Sequence, residues 1–110
     1  MGPRLAVEML VVPDCPNERA AEELIVTALA DVHLTGVDVT KSIIADEPEA
    51  VRRGFVGSPT FLLNGHDPFA QPGARPAMAC RVYQTPDGPH GLPALTDLRA
   101  ALKRAADWSR

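Results

Sequence analysis

No stretch of this sequence approaches the roughly 18 apolar residues that a membrane-spanning helix needs, so a membrane is not expected as a partner. There is no basic run either. The chain carries 11 Lys and Arg against 14 Asp and Glu, a net charge of −3, which argues against nucleic acid as a partner. Cysteine is scarce, with two residues, Cys15 and Cys80, too few for a disulfide framework. The three histidines, His33, His66 and His90, share no ligand spacing with either cysteine. A structural zinc site is therefore not expected, and no cofactor is implied. Glu8 interrupts the N-terminal apolar run and no small-residue cleavage site follows, so the run does not read as a signal peptide. A reducing cytoplasm is the expected location, where two cysteines are more often free or redox-active than structural. What remains is a 110-residue chain with 45% apolar residues, the size and composition of one soluble domain, 1–110. Of its 11 prolines and 8 glycines, 7 and 6 lie between residues 54 and 93, which makes the second half rich in loops.

The informative stretch is Val7-Glu8-Met9-Leu10-Val11-Val12-Pro13-Asp14-Cys15-Pro16-Asn17-Glu18. An apolar run ends in Pro-Asp, and a thiol follows just ahead of a helix-forming segment. Residues 4–12 read as a first strand. Leu5, Val7, Met9 and Val11 form one face, Ala6, Leu10 and Val12 make the other mostly apolar, and Arg4 and Glu8 stand towards its start. A strand apolar on both faces belongs in the centre of a sheet covered by helices on both sides. Residues 16–32 read as a helix, with Ala21, Leu24, Ile25, Ala28 and Val32 at helical spacing and acids in the first turns. A helix start has unpaired N–H groups and partial positive charge, so a thiol placed there is favoured as thiolate.

Thr35-Gly36 marks a stop, and Val37, Val39 and Ile43 form a short second strand. Asp46-Glu47-Pro48-Glu49 has the pattern of a capped helix start, with the helix running to about Arg53 and ending at Gly54. Phe55 and Val56 follow as buried anchors. Thr60-Phe61-Leu62-Leu63 is a third strand closed by an Asn64-Gly65 turn. The long loop 65–79 has the length of a lid or binding loop. Cys80-Arg81-Val82-Tyr83 reads as a fourth strand and Thr85 to Gly91 as a turn. Pro93 opens a last helix with Leu95, Leu98, Leu102 and Ala105 on one face, and Trp108 is placed to close the base of the core. The expected fold class is α/β, in the order β-α-β-α-β-β-α, with a four-stranded mixed sheet and helices on both faces.

Three features resemble the thioredoxin-like superfamily: Cys15-Pro16-Asn17-Glu18 after the first strand, the segment from Ala50 through Gly57-Ser58-Pro59-Thr60-Phe61-Leu62, and Asn64-Gly65 closing the third strand. Together with the element order, the resemblance covers nearly the whole chain. It implies a cis-proline at Pro59 facing the thiol of Cys15. A narrower likeness, carried by Pro-Asp-Cys-Pro-Asn, Gly-Ser-Pro-Thr, Asp-Pro-Phe-Ala and Cys-Arg-Val-Tyr, is to small bacterial thioredoxin-like proteins, some of them labelled alkylmercury lyase-like. The chain departs from the family's Cys-x-x-Cys pattern at Glu18. A local disulfide cannot form, and the resemblance implies monothiol chemistry through mixed disulfides.

Cys15 is accordingly the candidate nucleophile, against the plain alternative of an ordinary cysteine at a loop–helix junction. Glu18 is either a general acid or base beside the sulfur or a first-turn carboxylate of the helix. Asp14 and Glu18 both bring like charge towards a thiolate. Cys80, at the start of the fourth strand, is expected at the end far from the thiol, roughly 10 Å or more away at ~3.3 Å per residue. A disulfide needs Cα atoms within about 7 Å, so a Cys15–Cys80 bridge is disfavoured unless loop 65–79 alters the register; otherwise Cys80 is a small core residue. Asp67-Pro68 and Phe69 are either part of a lid over the thiol or a hydrophobic plug under the loop. Ser58 has no evident His–Asp partners and reads as the residue before Pro59.

Three functions fit these residues. The first is thiol–disulfide exchange by Cys15, with Pro59, Glu18 and Cys80 at the site and a low-molecular-weight thiol or protein disulfide as partner. The second is organomercurial or soft-metal chemistry using two thiols and a carboxylate. The third is a non-catalytic binding module, with a homodimer as one possible form, because a fold does not fix a function.

Overall fold

The computed structural model describes residues 5–108, with Trp108 described by its backbone alone. Arg4, expected at the start of the first strand, lies outside the described residues, as does the Trp108 side chain expected at the base of the core. The elements run β1 (Val7–Val11), α1 (Glu18–Asp31), β2 (Val39–Ile43), α2 (Glu47–Arg53), β3 (Thr60–Leu63), β4 (Tyr83–Thr85), β5 (Gly88–His90) and α3 (Leu95–Trp108). Among the described residues no helix is long and apolar enough to cross a membrane.

β1 is the central strand, as its two apolar faces require. It pairs in parallel with β2, Val7 opposite Val39 and Val11 opposite Ile43. On its other side it pairs antiparallel with β3, Val7 opposite Leu63 and Leu10 opposite Thr60. Alternation then sorts its side chains. Val7, Met9 and Val11 share a core with Phe61 and Leu63 of β3, Ala21, Ile25, Ala28 and Leu29 of α1, and Leu98, Ala101 and Leu102 of α3. Leu10 faces the other way, into a smaller core with Ile44, Ala50 of α2 and Phe55. Helices thus cover both faces, α1 and α3 on one and α2 on the other. Met9, Leu10, Ile25, Phe55 and Phe61 are fully buried, each contributing on the order of 1.5–3 kcal/mol from apolar burial.

Local chemistry explains the short α2. Asp46 caps it, its Oδ1 accepting the Glu49 N–H at 2.9 Å. Glu49 reaches back, but to the Ala45 N–H at 3.1 Å, one residue before the cap. Pro48 sits in the first turn, and Gly54 ends the helix at φ 61°. Phe55 then returns its N–H to Ala50 O at 2.9 Å and drops into the small core.

The sheet has three strands, β2-β1-β3, and not the four expected. β4 leaves it and pairs with β5 in a separate hairpin, Tyr83 opposite His90 and Thr85 opposite Gly88 around Pro86-Asp87. The region expected as a turn therefore holds a strand, even with Pro89 inside it. A strand at a sheet edge tolerates a residue that donates no N–H. The chain after β3 has a turn at Asn64-Gly65, both at positive φ, that closes one antiparallel bridge, Leu63 to His66. Pro68 follows, and the Asp67 carboxylate takes the Phe69 N–H at 2.9 Å, so the hairpin does not extend. Loop 65–79 instead travels back to the other end of β3. There Ala77 donates to Phe55 O, Ser58 to Ala79 O and Arg81 to Ser58 O. The segment expected as the fourth strand therefore runs parallel to the entry of β3 and meets it in a single bridge, Ser58 with Cys80.

Gly57 makes that approach possible. It sits at φ 140°, and a Cβ there would lie 2.8 Å from Arg81 Cβ and 2.9 Å from Arg81 Cα. Gly54 also has positive φ but faces open space. Gly57→Ala is expected to cost more in urea denaturation, about 2–4 kcal/mol from strain plus overpacking, than Gly54→Ala, at about 1 kcal/mol. Equal losses at the two positions would contradict the tight Gly57–Arg81 packing.

Candidate active site

β1 ends at Val11, and the chain turns through Pro13-Asp14, with Asp14 at φ 57°, a conformation that Asp tolerates better than most residues. Cys15 follows, in a turn closed by the Glu18 N–H on Cys15 O at 3.2 Å. The helix expected from residue 16 begins at Glu18 with Asn17 as its cap, so Pro16 precedes the cap and Cys15 stands two residues ahead of it. Cys15 is buried, at 8% exposure.

Its sulfur has a partner that the sequence reading passed over. The Ser58 hydroxyl donates to Cys15 Sγ at 2.9 Å, and the same oxygen accepts the Val12 N–H at 3.1 Å. Ser58 is fully buried, so this hydroxyl is oriented from both sides: the Val12 N–H donates to its oxygen and the Cys15 sulfur accepts its hydrogen bond. The Ser58–Pro59 peptide is cis. Pro59 is buried, and its carbonyl accepts the Tyr83 hydroxyl. The only sequence signal for Ser58 was its place before a proline in the segment leading into β3.

Glu18 is tied to β2. Its carboxylate accepts from Lys41 Nζ at 2.6 Å, and Glu22 accepts from the same amine at 3.1 Å. These bonds raise the Lys41 pKa, the Glu18 bond most. They leave Glu18 as the first-turn carboxylate of α1, tied to β2. Cys80 is exposed. It does not lie at the far end of the sheet: its bridge to Ser58 puts it at the thiol's end. Loop 65–79 produced the change of register, because it returns the chain to that end before residue 80.

At the start of β3 lies a polar cluster that sequence reasoning missed. Arg81 is buried, with 8% of its side chain exposed, and its partner Asp67 has 11%. Arg81 Nη1 donates to Asp67 Oδ2 at 2.7 Å and to Thr60 Oγ1 at 3.1 Å. Nη2 donates to Asp67 Oδ1 at 3.3 Å and to Phe69 O at 2.9 Å. The guanidinium lies 4.6 Å above the Tyr83 ring, and Phe69 meets that ring edge-on at 5.4 Å. Phe69 also packs against the main core, which makes it the plug under the loop. The sequence carried one signal for this cluster: an arginine inside the apolar Cys-Arg-Val-Tyr run, which needs an acid once buried. Among the described residues no buried side-chain nitrogen or oxygen lacks a partner. No three His, Cys, Asp or Glu side chains converge among them as a metal site would require. An open cleft beside the start of α1 is lined by Asn17, Thr85, Asp87, His90 and Gly91.

Comparison of the chain with protein-family models, with curated proteins and with solved structures finds no match in any of the three.

The buried pair generates two predictions. Asp67→Leu leaves a buried cation without its counter-ion and is expected to cost about 3–5 kcal/mol in denaturant unfolding. Adding Arg81→Met should recover part of that loss, and a double variant no more stable than Asp67→Leu alone would show the pair to be unimportant. The second concerns the single tyrosine of the chain. Burial pushes the Tyr83 phenol well above its ordinary 10.0, with Asp67 adding to the shift and Arg81 opposing it. The fold therefore holds the neutral phenol, while the unfolded chain ionises from about pH 10 upwards. Stability should be intact below that pH and fall as pH rises through it, with phenolate absorbance appearing together with unfolding. Tyr83→Phe should remove this part of the alkaline loss.

Proposed function

We propose that this protein is a thiol–disulfide exchange protein of monothiol type with a thioredoxin-like arrangement, acting through Cys15. One observation carries the reading: the buried Ser58 hydroxyl, oriented by the Val12 N–H, donates to Cys15 Sγ at 2.9 Å. An O–H aimed at sulfur can stabilise negative charge on that atom when it is a thiolate and in the transition state of exchange. The central β1 that delivers Cys15 to the start of α1 agrees with the same reading.

The chemistry balances without a cofactor. The Cys15 thiolate attacks one sulfur of a disulfide, forming a mixed disulfide and expelling the other half as a thiolate, which takes a proton from water. Glu18 occupies the place of a local second cysteine, so a further thiol must release the bound half. The reducing cytoplasm supplies such thiols as small molecules, and protein disulfides are the other substrate class.

Turnover of a small alkyl disulfide in the presence of glutathione tests the reading. Cys15→Ser should abolish the protein-dependent rate, and retention of that rate would sink the proposal. Ser58→Ala should slow it by about tenfold, the value of one hydrogen bond of roughly 1–1.5 kcal/mol.

A further inference from the structure

We propose that Cys80 is the resolving thiol of this site, forming an intrachain disulfide with Cys15 after the first exchange step. The inference rests on Cys15 being the nucleophile and goes beyond it by replacing the external second thiol with one from the chain itself.

The argument starts from backbone register. The Ser58 N–H donates to Ala79 O at 2.8 Å and the Arg81 N–H donates to Ser58 O at 2.9 Å. That pair of bonds makes Ser58 and Cys80 directly opposed residues of a parallel bridge. Opposed residues lie about 4.8 Å apart, and in a parallel pair their side chains leave on the same face. The Ser58 side chain on that face reaches Cys15 Sγ at 2.9 Å. Cys80 Cα is therefore within about 10 Å of the Cys15 sulfur, before the length of its own side chain is counted. One residue thus holds both cysteines, Cys15 by its hydroxyl and Cys80 by its peptide groups.

Cys80 is exposed, but it is not on a free loop. Both peptide groups flanking it are hydrogen-bonded to Ser58, and the next residue is the buried, ion-paired Arg81. On its other side the chain from Ala70 to Pro76 is exposed. Movement of Cys80 towards Cys15 would give up the Ser58–Ala79 and Ala77–Phe55 hydrogen bonds, after which the exposed stretch before Ala77 supplies the slack. The two thiols differ in setting, one buried against a donor and the other open to solvent.

The electron balance is closed by the substrate. Cys15 takes one half of a disulfide into a mixed disulfide and releases the other half as a thiolate. The Cys80 thiolate then attacks Cys15 Sγ, the Cys15–Cys80 bond forms, and the second half leaves as a thiolate. The substrate disulfide is reduced to two thiols, and the protein is oxidised from two thiols to one disulfide.

The test uses the whole chain and one equivalent of the aryl disulfide dithiobis(nitrobenzoate) under anaerobic, native conditions. Wild type should release both aryl thiols and lose two hydrogens by mass, and peptide mapping should show an intrachain Cys15–Cys80 link. Cys80→Ser, a change at an exposed position, should release one aryl thiol and retain the other half on Cys15. Circular dichroism confirms that the variant is folded. An adduct that persists on Cys15 in wild type, or a link between two chains, overturns the resolving role and leaves Cys15 as nucleophile. An adduct on Cys80 with Cys15 unmodified, together with an unreactive Cys80→Ser protein, overturns both.

Discussion

The buried Arg81 guanidinium is the contact that the second half of this molecule is built around. A cation taken out of water at this depth is costly, and only a nearly complete set of acceptors offsets that cost. Here the acceptors come from two parts of the chain: Asp67 and the Phe69 carbonyl from the long loop, and Thr60 from β3. The Tyr83 ring lies against the guanidinium from β4. Loop, sheet and hairpin are thereby fixed to one group. The same contact explains why the chain does not add a fourth strand to the sheet. Arg81 must reach Asp67 and Thr60 at the entry of β3, so the segment that carries it passes that entry, over the bare surface of Gly57.

The site inherits its geometry from two independent sources. β1, held between β2 and β3 and buried on both faces, fixes the point where the chain turns towards α1 and hence the position of Cys15. The entry of β3, held by α2 and Phe55 on one side and by the Arg81 cluster on the other, fixes Ser58. The two meet in the hydrogen bonds from Val12 to Ser58 and from Ser58 to Cys15. A hydroxyl shared between a backbone N–H and a sulfur has little freedom left, which is the condition under which a single donor affects reactivity.

What could be read from the sequence divides along the range of the forces involved. β1, β3, α2 with its Asp46 cap and Gly54 terminus, and the Asn64-Gly65 turn are written in neighbouring residues, and they lie where local patterning puts them. Cys15 before α1 and the cis bond at Pro59 were legible by resemblance. The fourth strand was misplaced because its partner is chosen by an ion pair between residues 67 and 81 and by the absence of a Cβ at residue 57, neither of which has a period. Cys80 went to the wrong end of the sheet for the same reason. The first two residues expected in α1 fell outside it because the turn from Cys15 to Glu18 uses them, with Asn17 taking the cap. The side chain of Ser58 carried no pattern at all; its meaning came only from what β1 brings beside it.

The Lys41 ion pairs have a consequence for how copies of this chain behave towards one another. β2 is an outer strand of the sheet, and β-branched Val39, Thr40 and Ile43 leave it well suited to extend. Open edges of that kind recruit the edges of neighbouring molecules and seed aggregation. Lys41 stands at the centre of the strand, and Glu18 and Glu22 of α1 hold its amine. Continuous pairing between two such edges would have to crowd or desolvate that charge cluster. The carboxylate that stands where a second cysteine would make a dithiol therefore also helps to keep this outer strand from being copied onto its neighbour.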